Sequence, residues 1–331
     1  MKNSSLFLKI SFLILLIFII PAGIYINYKL TLITEQTYTQ LSNKLISDLS
    51  NEEQSIKDTG IINAFFISDS KEIRNALMTN DRQSAIVALQ SISKKFKKST
   101  RIKDLKIHIH TADIRSFVRS WKLSEYGDKL GDFRNTIVRV KLTEKPVFNY
   151  EVGRMGLTLR SIVPILDNDK YIGSLEFIED FRSASKSFVK RGDEHLFLMN
   201  KSLLDTAKDL KDAPNAGPYK LSLKAINEDF LKAAQTLDFD KLKKEHYLLT
   251  DKYLFTYKQI KDIEDNDVGI HLMATPINKV EIAVDEMKSS LLVMIGVIVG
   301  SFLFVLSILI LFKIESITKF IEKISPSKLK S

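Results

Sequence analysis

Hydrophobic positions along this chain follow three different periods. At the two ends they run almost unbroken. Leu6–Ile26 carries one charge, Lys9, and Leu291–Phe312 carries none. Either stretch, taken as a helix, is long enough to cross a hydrocarbon core of about 30 Å. Beside the first run the pattern turns helical. Leu41, Leu45 and Leu49 recur every four residues, with Leu30, Ile33 and Ile56 near the same stripe. This predicts one long helix from Asn27 to about Thr59, ended by Gly60. Helices broken by polar turns follow over Asn63–Thr100, with Asp81 as the cap of Arg82–Phe96. Lys94, Lys95, Lys97 and Lys98 stand where cations complement a helix dipole.

The period then drops to two. Lys106–Thr111, Ser116–Trp121, Pro146–Val152, Leu157–Leu166 and Tyr171–Phe177 alternate and are rich in β-branched residues, predicting an antiparallel sheet of about five strands. Ile107 and Ile109 point one way; His108 and His110 point the other. Phe117, Arg119 and Trp121 are expected to share a face. A short helix from Asp132 to about Val140 interrupts the strands. Phe181–Lys190 reads as a linking helix. A second, weaker set of strands follows at His195–Met199, Tyr247–Leu249, Leu254–Ile260 and Val268–Met273, with a Pro/Gly/Asn-rich turn at Ala213–Pro218. A helix from Pro276 to about Ser290 leads into the second apolar run.

The fold class expected is therefore α+β, in a membrane protein with two transmembrane helices. Residues 1–5 form a cytoplasmic N-terminus, 6–26 the first span, 27–290 the region outside, 291–312 the second span and 313–331 a short cytoplasmic tail. The outer region divides into a membrane-distal module at about 61–180 and a membrane-proximal one at about 191–275. The tail carries Lys313, Lys319, Lys323, Lys328 and Lys330 against Glu315 and Glu322, which keeps it inside by the positive-inside rule. The first run is expected to stay as an anchor in the inner membrane of a bacterial cell. As a cleaved signal it offers only Pro21-Ala22-Gly23 as a processing site. The long helix is expected to support a homodimer.

Composition narrows the chemistry. The chain of 331 residues has a net charge of +9, but its lysines are dispersed and no nucleic-acid motif accompanies them. The absence of cysteine excludes thiol catalysis, disulfides and thiolate metal sites. No G-x-S-x-G, H-E-x-x-H, phosphate-binding or dinucleotide loop is present, so no enzyme activity and no cofactor is expected. The candidates are binding residues. Arg119 and Arg160, on a sheet face, present planar forks suited to a carboxylate. Their partner is either a ligand anion or a protein carboxylate: Glu151, Glu176 or Asp113. Trp121, and more weakly Tyr126, offer aromatic walls. His110 is a candidate donor to an anion. His108, His110 and Asp113 together would make three metal ligands, but they lack a fourth, and no metal is expected.

Two segments carry a family likeness. Ile107–Trp121 reads I-H-x-H-x-x-D-x-R-S-F-x-R-x-W, and Glu151–Ile165 reads E-x-G-R-x-G-L-x-x-R-x-I-x-P-I. With the order of span, long helix, two modules and span, they resemble the double Cache receptors, specifically a dCache_3-like group. These are PAS-like sensory regions of bacterial chemoreceptors, sensor kinases and cyclic-di-nucleotide enzymes. Leu159–Ile165 is also similar to the strand of dicarboxylate- and citrate-type sensor kinases whose arginine holds a ligand carboxylate. That likeness puts Arg160 at the arginine and His110 at a ligand-facing histidine, although Ile107 stands where those kinases carry a second arginine. Ile317–Leu329 looks like the start of a HAMP relay helix. The likeness implies a receptor that binds a small carboxylate in the distal module and signals through the second span, with a chemoreceptor, kinase or diguanylate cyclase as partner. The alternative is a ligand-free membrane-anchored adaptor that dimerises with full-length receptors.

Overall fold

Alternation over residues 106–179 does build a sheet. The computed structural model describes residues 2–99, 105–179 and 181–324. In chain order these form helices α1 (Lys2–Ser68), α2 (Lys71–Met78) and α3 (Arg82–Ser99), strands β1 (Lys106–Thr111) and β2 (Ser116–Arg119), helix α4 (Asn135–Thr143), and strands β3 (Val147–Gly153), β4 (Gly156–Asp167) and β5 (Lys170–Glu179). Helix α5 (Arg182–Lys190) leads on to β6 (Glu194–Asn200), β7 (Asn215–Ala216) and β8 (Tyr219–Leu221). Helices α6 (Glu228–Gln235) and α7 (Phe239–Glu245), strands β9 (Tyr247–Leu249), β10 (Tyr253–Lys261) and β11 (Asp267–Pro276), and helix α8 (Ile277–Ile324) complete the order. The strands make two antiparallel sheets, ordered β2-β1-β5-β4-β3 and β7-β8-β6-β11-β10-β9.

The chain divides into two units, residues 40–277 and residues 1–39 with 278–331. In the larger unit the odd-numbered residues of the first sheet make a core. Ile107 and Ile109 of β1, Val163 and Ile165 of β4, and Leu175 and Phe177 of β5 pack on Ala64, Ile67, Ile73, Ala85 and Leu89 of the helices. Each such Leu, Ile or Phe contributes about 1.5–3 kcal/mol by leaving water. The second sheet buries one face under α6 and α7, through Leu196, Leu198, Phe255, Ile270 and Leu272 against Phe230, Leu231 and Leu242. Its other face, with Phe197, Met199 and Met273, packs on Leu45, Leu49 and Ile56 of α1, Phe188 of α5, and Leu157 and Leu159 of β4. This shared core joins the two sheets.

Several boundaries differ from expectation. Helix α1 does not stop at Gly60. Ile56, Gly60 and Ala64 lie four residues apart on its buried face, so the helix continues in contact with the core despite a glycine cost of about 1 kcal/mol. It ends at Ser68, whose hydroxyl donates to the Phe65 carbonyl at 2.9 Å. Helix α4 starts at Asn135, not Asp132. The cap is a carboxylate from another strand: Glu151 Oε1 accepts the Thr136 N–H at 3.0 Å. Strand β2 is shorter than expected and bulged. Ile109 faces Val118 and His110 faces Ser116, which leaves Phe117 as the extra residue. Phe117 therefore enters the hydrophobic core and does not share a face with Arg119. The Ala213–Pro218 turn contains the edge strand β7, paired with β8. Pro276 ends β11, where a missing N–H is harmless, and α8 begins after it.

In the smaller unit, α8 supplies one helix long and apolar enough to cross a membrane, over Ile277–Val305, with none of that window buried. It is the one such helix among the described residues. Residues 6–26 are helical as part of α1, but most of their side chains lie outside the described set. The end of the expected relay helix, residues 325–329, also lies outside the described residues.

Candidate ligand-binding site

The other face of the first sheet, formed by the even-numbered positions of β1, β4 and β5 with Arg119 of β2 and Glu151 of β3, carries its chemistry. His108 faces Glu176 and Arg119 across the ladders, and His110 faces Ser174 and Ser116. Arg160 of β4 lies on the same face. Over it folds the chain from Ser120 to Arg134, and between them is a cavity of about 190 Å³. His108, Arg119, Trp121, Lys122, Glu125, Leu130, Phe133, Arg134, Gly153, Arg154, Met155, Arg160 and Asp209 line it.

The floor is a buried network of charge. Glu176 Oε1 accepts from Arg134 Nη2 and from Arg160 Nη1, each at 2.5 Å. Arg134 Nε also donates to Glu151 Oε2, and Arg160 Nε lies 3.5 Å from the same atom. The four residues are 0–6% exposed, a burial that unpaired charges do not survive. Burial alone would raise the Glu176 carboxyl, but the two guanidiniums outweigh it and hold it well below the usual carboxylate range. Burial opposes the charge on Arg134; Glu151 and Glu176 override it and raise its pKa. Arg160 is shifted down, first by burial and then by Arg134. His108 is pushed well below its ordinary value, mainly by burial and next by His110, and His110 is lowered by burial too. Both are therefore neutral imidazoles near pH 7.

The residues singled out from the sequence are only partly brought together. Arg119, Trp121 and Arg160 line the cavity. Trp121 stands edge-on to His108, with ring centroids 5.8 Å apart. His110 is fully buried behind His108, its Nδ1 2.9 Å from the Ser174 hydroxyl. Tyr126 is exposed and stacks under Arg82, 3.9 Å from guanidinium carbon to ring centre; it is not a lining residue. Asp113 pairs with Arg115 at the exposed turn and is remote from the histidine pair, whose third partner is Glu176. Each arginine has a protein carboxylate. Arg119 makes two bonds to Asp128, at 2.9 and 2.8 Å, and Arg160 has Glu176. Arg134 and Arg154 were not singled out from the sequence. Arg154 sits in the quoted E-x-G-R segment, but Arg134 follows a loop whose path has no sequence signal.

The lining thus holds five cations: Arg119, Lys122, Arg134, Arg154 and Arg160. Glu125 and Asp209 of the lining, with Asp128, Glu151 and Glu176 behind it, match them in number. Arg154, half exposed at the rim, reaches Asp128 at 3.4 Å. A ligand carboxylate can enter such a site by replacing Asp128 on Arg119 and Arg154.

Strand β3 links this floor to α1 and the second sheet. Glu151 points into the charge network. Tyr150, on the opposite face, donates to Glu53 of α1 at 2.6 Å and lies 2.8 Å from His271 Nε2 of β11. His271 Nδ1 is 2.8 Å from His195 Nε2, and His195 Nδ1 is 2.8 Å from the Ser185 hydroxyl of α5. Lys258 Nζ donates to the other oxygen of Glu53. Burial pushes His195 down to about 3 and, with His195 beside it, His271 well below its ordinary value.

A family model described as the double sensory domain of two-component sensor kinase, dCache_3, matches residues 35–280. No curated protein matches the chain. Among solved structures, the sensor domain of the Vibrio cholerae histidine kinase DctB is 12% identical, covering 72% of this chain and 98% of its own, with a TM-score of 0.43. The Campylobacter jejuni chemoreceptor Tlp3 sensory domain with isoleucine bound is 12% identical, covering 77% and 98%, with a TM-score of 0.45. The Escherichia coli DcuS sensor domain is 19% identical over 40% of this chain and 95% of its own, with a TM-score of 0.33.

Proposed function

The chain belongs to the dCache_3 family of double sensory domains, and on that footing we propose that it is a membrane-anchored receptor whose distal module binds a small carboxylate. The observation that carries this reading is the cavity of about 190 Å³ with Arg119, Arg154 and Arg160 in its wall. Its volume, below the range of drug-sized pockets, suits a small metabolite. The ligand carboxylate takes the place of Asp128 on Arg119 and Arg154, with Trp121 as the flat wall.

Displacing Asp128 gives the ligand its preference between two states. A ligand with equal affinity for both would shift neither. The loop that carries Asp128 moves, and β3 passes the change from Glu151 to Tyr150, and so to α1, His271 and the start of α8. In this reading residues 6–26 are a second span, both termini are cytoplasmic, and residues 27–290 lie outside the cell membrane. A homodimer pairs through α1, and the output partner is a chemoreceptor, kinase or diguanylate cyclase.

A screen of small carboxylates and amino acids against the full chain in nanodiscs, read by thermal shift, tests it. Binding to the folded state adds about 2.7 kcal/mol at a hundredfold excess over Kd. Arg154→Ala, at a half-exposed position, should leave the fold intact and weaken a hit at least about tenfold. No hit in a broad screen, or hits untouched by both Arg154→Ala and Arg119→Ala, would overturn the reading and leave the ligand-free adaptor.

A further inference from the structure

Behind the cavity, His108, His110 and Glu176 bring one donor atom each into one cluster. Glu176 Oε2 lies 3.3 Å from His108 Nδ1 and 3.6 Å from His110 Nε2, and all three donors fall within 4.8 Å of one another. We propose that these three residues bind a divalent transition metal ion of the zinc class.

The distances fit a shared ion: the His108 contact, at 3.3 Å, is a long hydrogen bond, and the His110 contact, at 3.6 Å, is beyond hydrogen-bond reach. An N–H bound to a carboxylate oxygen closes to about 2.7–2.9 Å. Two ligands of one tetrahedral zinc, each about 2.0–2.1 Å from the metal, stand about 3.3–3.4 Å apart. The 3.3 Å separation matches the second figure and the 3.6 Å one lies slightly beyond it, whereas the outer contacts of the same rings are short. His108 Nε2 is 2.8 Å from the Ser116 hydroxyl, and His110 Nδ1 is 2.9 Å from that of Ser174. Outer partners of this kind fix the orientation of a ligating imidazole and leave its inner nitrogen free to coordinate.

A second observation points the same way. His110 Nε2 is fully buried and has no hydrogen-bond partner. A buried nitrogen aimed at a carboxylate and another imidazole, yet bonded to neither, is costly unless something occupies the space between them. Two imidazoles, one carboxylate and no thiolate suit zinc, cobalt(II) or nickel(II) better than calcium or magnesium.

Arg134 and Arg160 shape the site. They occupy Glu176 Oε1 and leave Oε2 for the metal. With Glu151 and Glu176 they already balance in charge, so a divalent ion adds two uncompensated positive charges. The fourth ligand is therefore an anion, and the access route is the cavity, because His108 is in its wall. Metal affinity should rise when a carboxylate fills the cavity, and by linkage the carboxylate should bind more tightly with metal present. Only this last consequence rests on the carboxylate reading; the metal site does not.

The test uses the untagged full chain in nanodiscs, stripped with a chelator, equilibrated with Zn²⁺ and desalted, with metal measured by mass spectrometry. Co²⁺ in place of Zn²⁺ reports geometry through its visible bands. One ion per chain is expected, with the intense visible bands of tetrahedral cobalt. His110→Asn should abolish retention. Ser174→Ala removes only the outer partner and should weaken affinity about 10–100-fold without unfolding the chain. His246→Asn, outside the cluster, should change nothing. Absence of retained metal in the wild type overturns the proposal. So does retention by the wild type that Ser174→Ala leaves unweakened, whether or not His110→Asn folds. These outcomes are independent of any carboxylate screen.

Discussion

Acidification from about pH 7.5 to 5.5 should destabilise the 40–277 unit by about 4 kcal/mol, and the buried histidines are the reason. His108, His195 and His271 are each fully buried and shifted well down from an unfolded value of 6.5, His195 to about 3. The unfolded chain takes up a proton on each as pH falls through 6.5, and the folded chain does not. Stability is thus present above the unfolded value and lost as pH drops below it. A histidine that stays neutral in the fold costs about 1.4 kcal/mol across this interval: the unfolded protonation ratio rises from about 0.1 to about 10, so one plus that ratio, which sets the free energy, rises about tenfold. Three such residues give about 4 kcal/mol, and His110, also lowered by burial, acts in the same direction. Against a total stability of about 5–15 kcal/mol this is a large loss. The depressed Glu176 carboxyl adds its own loss only below its unfolded value of 4.5, outside the window. Urea unfolding of metal-free protein measures the effect. Trp121, the single tryptophan, is the fluorescent probe, since it lies against His108. His195→Gln should reduce the pH difference by about 1.4 kcal/mol. A urea midpoint that is the same at both pH values, or higher at the lower one, would refute the claim that these imidazoles are buried and neutral.

Other consequences can be measured in the same way. Glu176→Gln leaves Arg134 and Arg160 sharing the single carboxylate of Glu151, and should cost about 3–5 kcal/mol in urea unfolding; a loss under about 1 kcal/mol would show the network to be solvated. Tyr150→Phe cuts the link between Glu53 and His271 but keeps the ring against Phe181 and Phe197, so a loss of about 1–3 kcal/mol is expected, with Lys258–Glu53 retained. Unchanged stability in that variant would remove the chain as a mechanical link. Gly269→Ala drives a methyl group into the Leu198 carbonyl oxygen on the neighbouring strand, and calorimetry should record a fall in Tm from about 1–3 kcal/mol of overpacking. Gly153→Ala sets its Cβ 2.5 Å from Arg160 Nη2, and carboxylate affinity should fall while Tm falls less than in Gly269→Ala.

Much of the architecture was legible along the chain because helices and strands are local periodicities. Alternation placed Ile107 and Ile109 on one face and His108 and His110 on the other, and the ladder kept them so. Five strands of the first sheet, the linking helix and four strands of the second appeared within a few residues of their expected limits. The apolar run at the C-terminal end was equally plain. Arg160 could be assigned an anionic partner on chemical grounds, and Glu176 was among the three protein carboxylates named for it.

Partner choice was decided by tertiary structure, because it depends on strand register and on loop paths that no short window encodes. One bulged residue at Phe117 moved that ring into the core, separating it from Arg119. Gly60 could not be recognised as an interior helix position until its face proved to be buried. Asp113 was near the histidines in sequence, yet Glu176, sixty-eight residues from His108, is their neighbour because β1 and β5 pair side by side. Arg134 reached the network only through the course of the loop before α4. The contacts of Tyr150 with Glu53 and His271 bring together residues 97 and 121 positions apart. Burial, which sets the charge state of each of these groups, is a property of the assembled core, and the local pattern along the chain does not contain it.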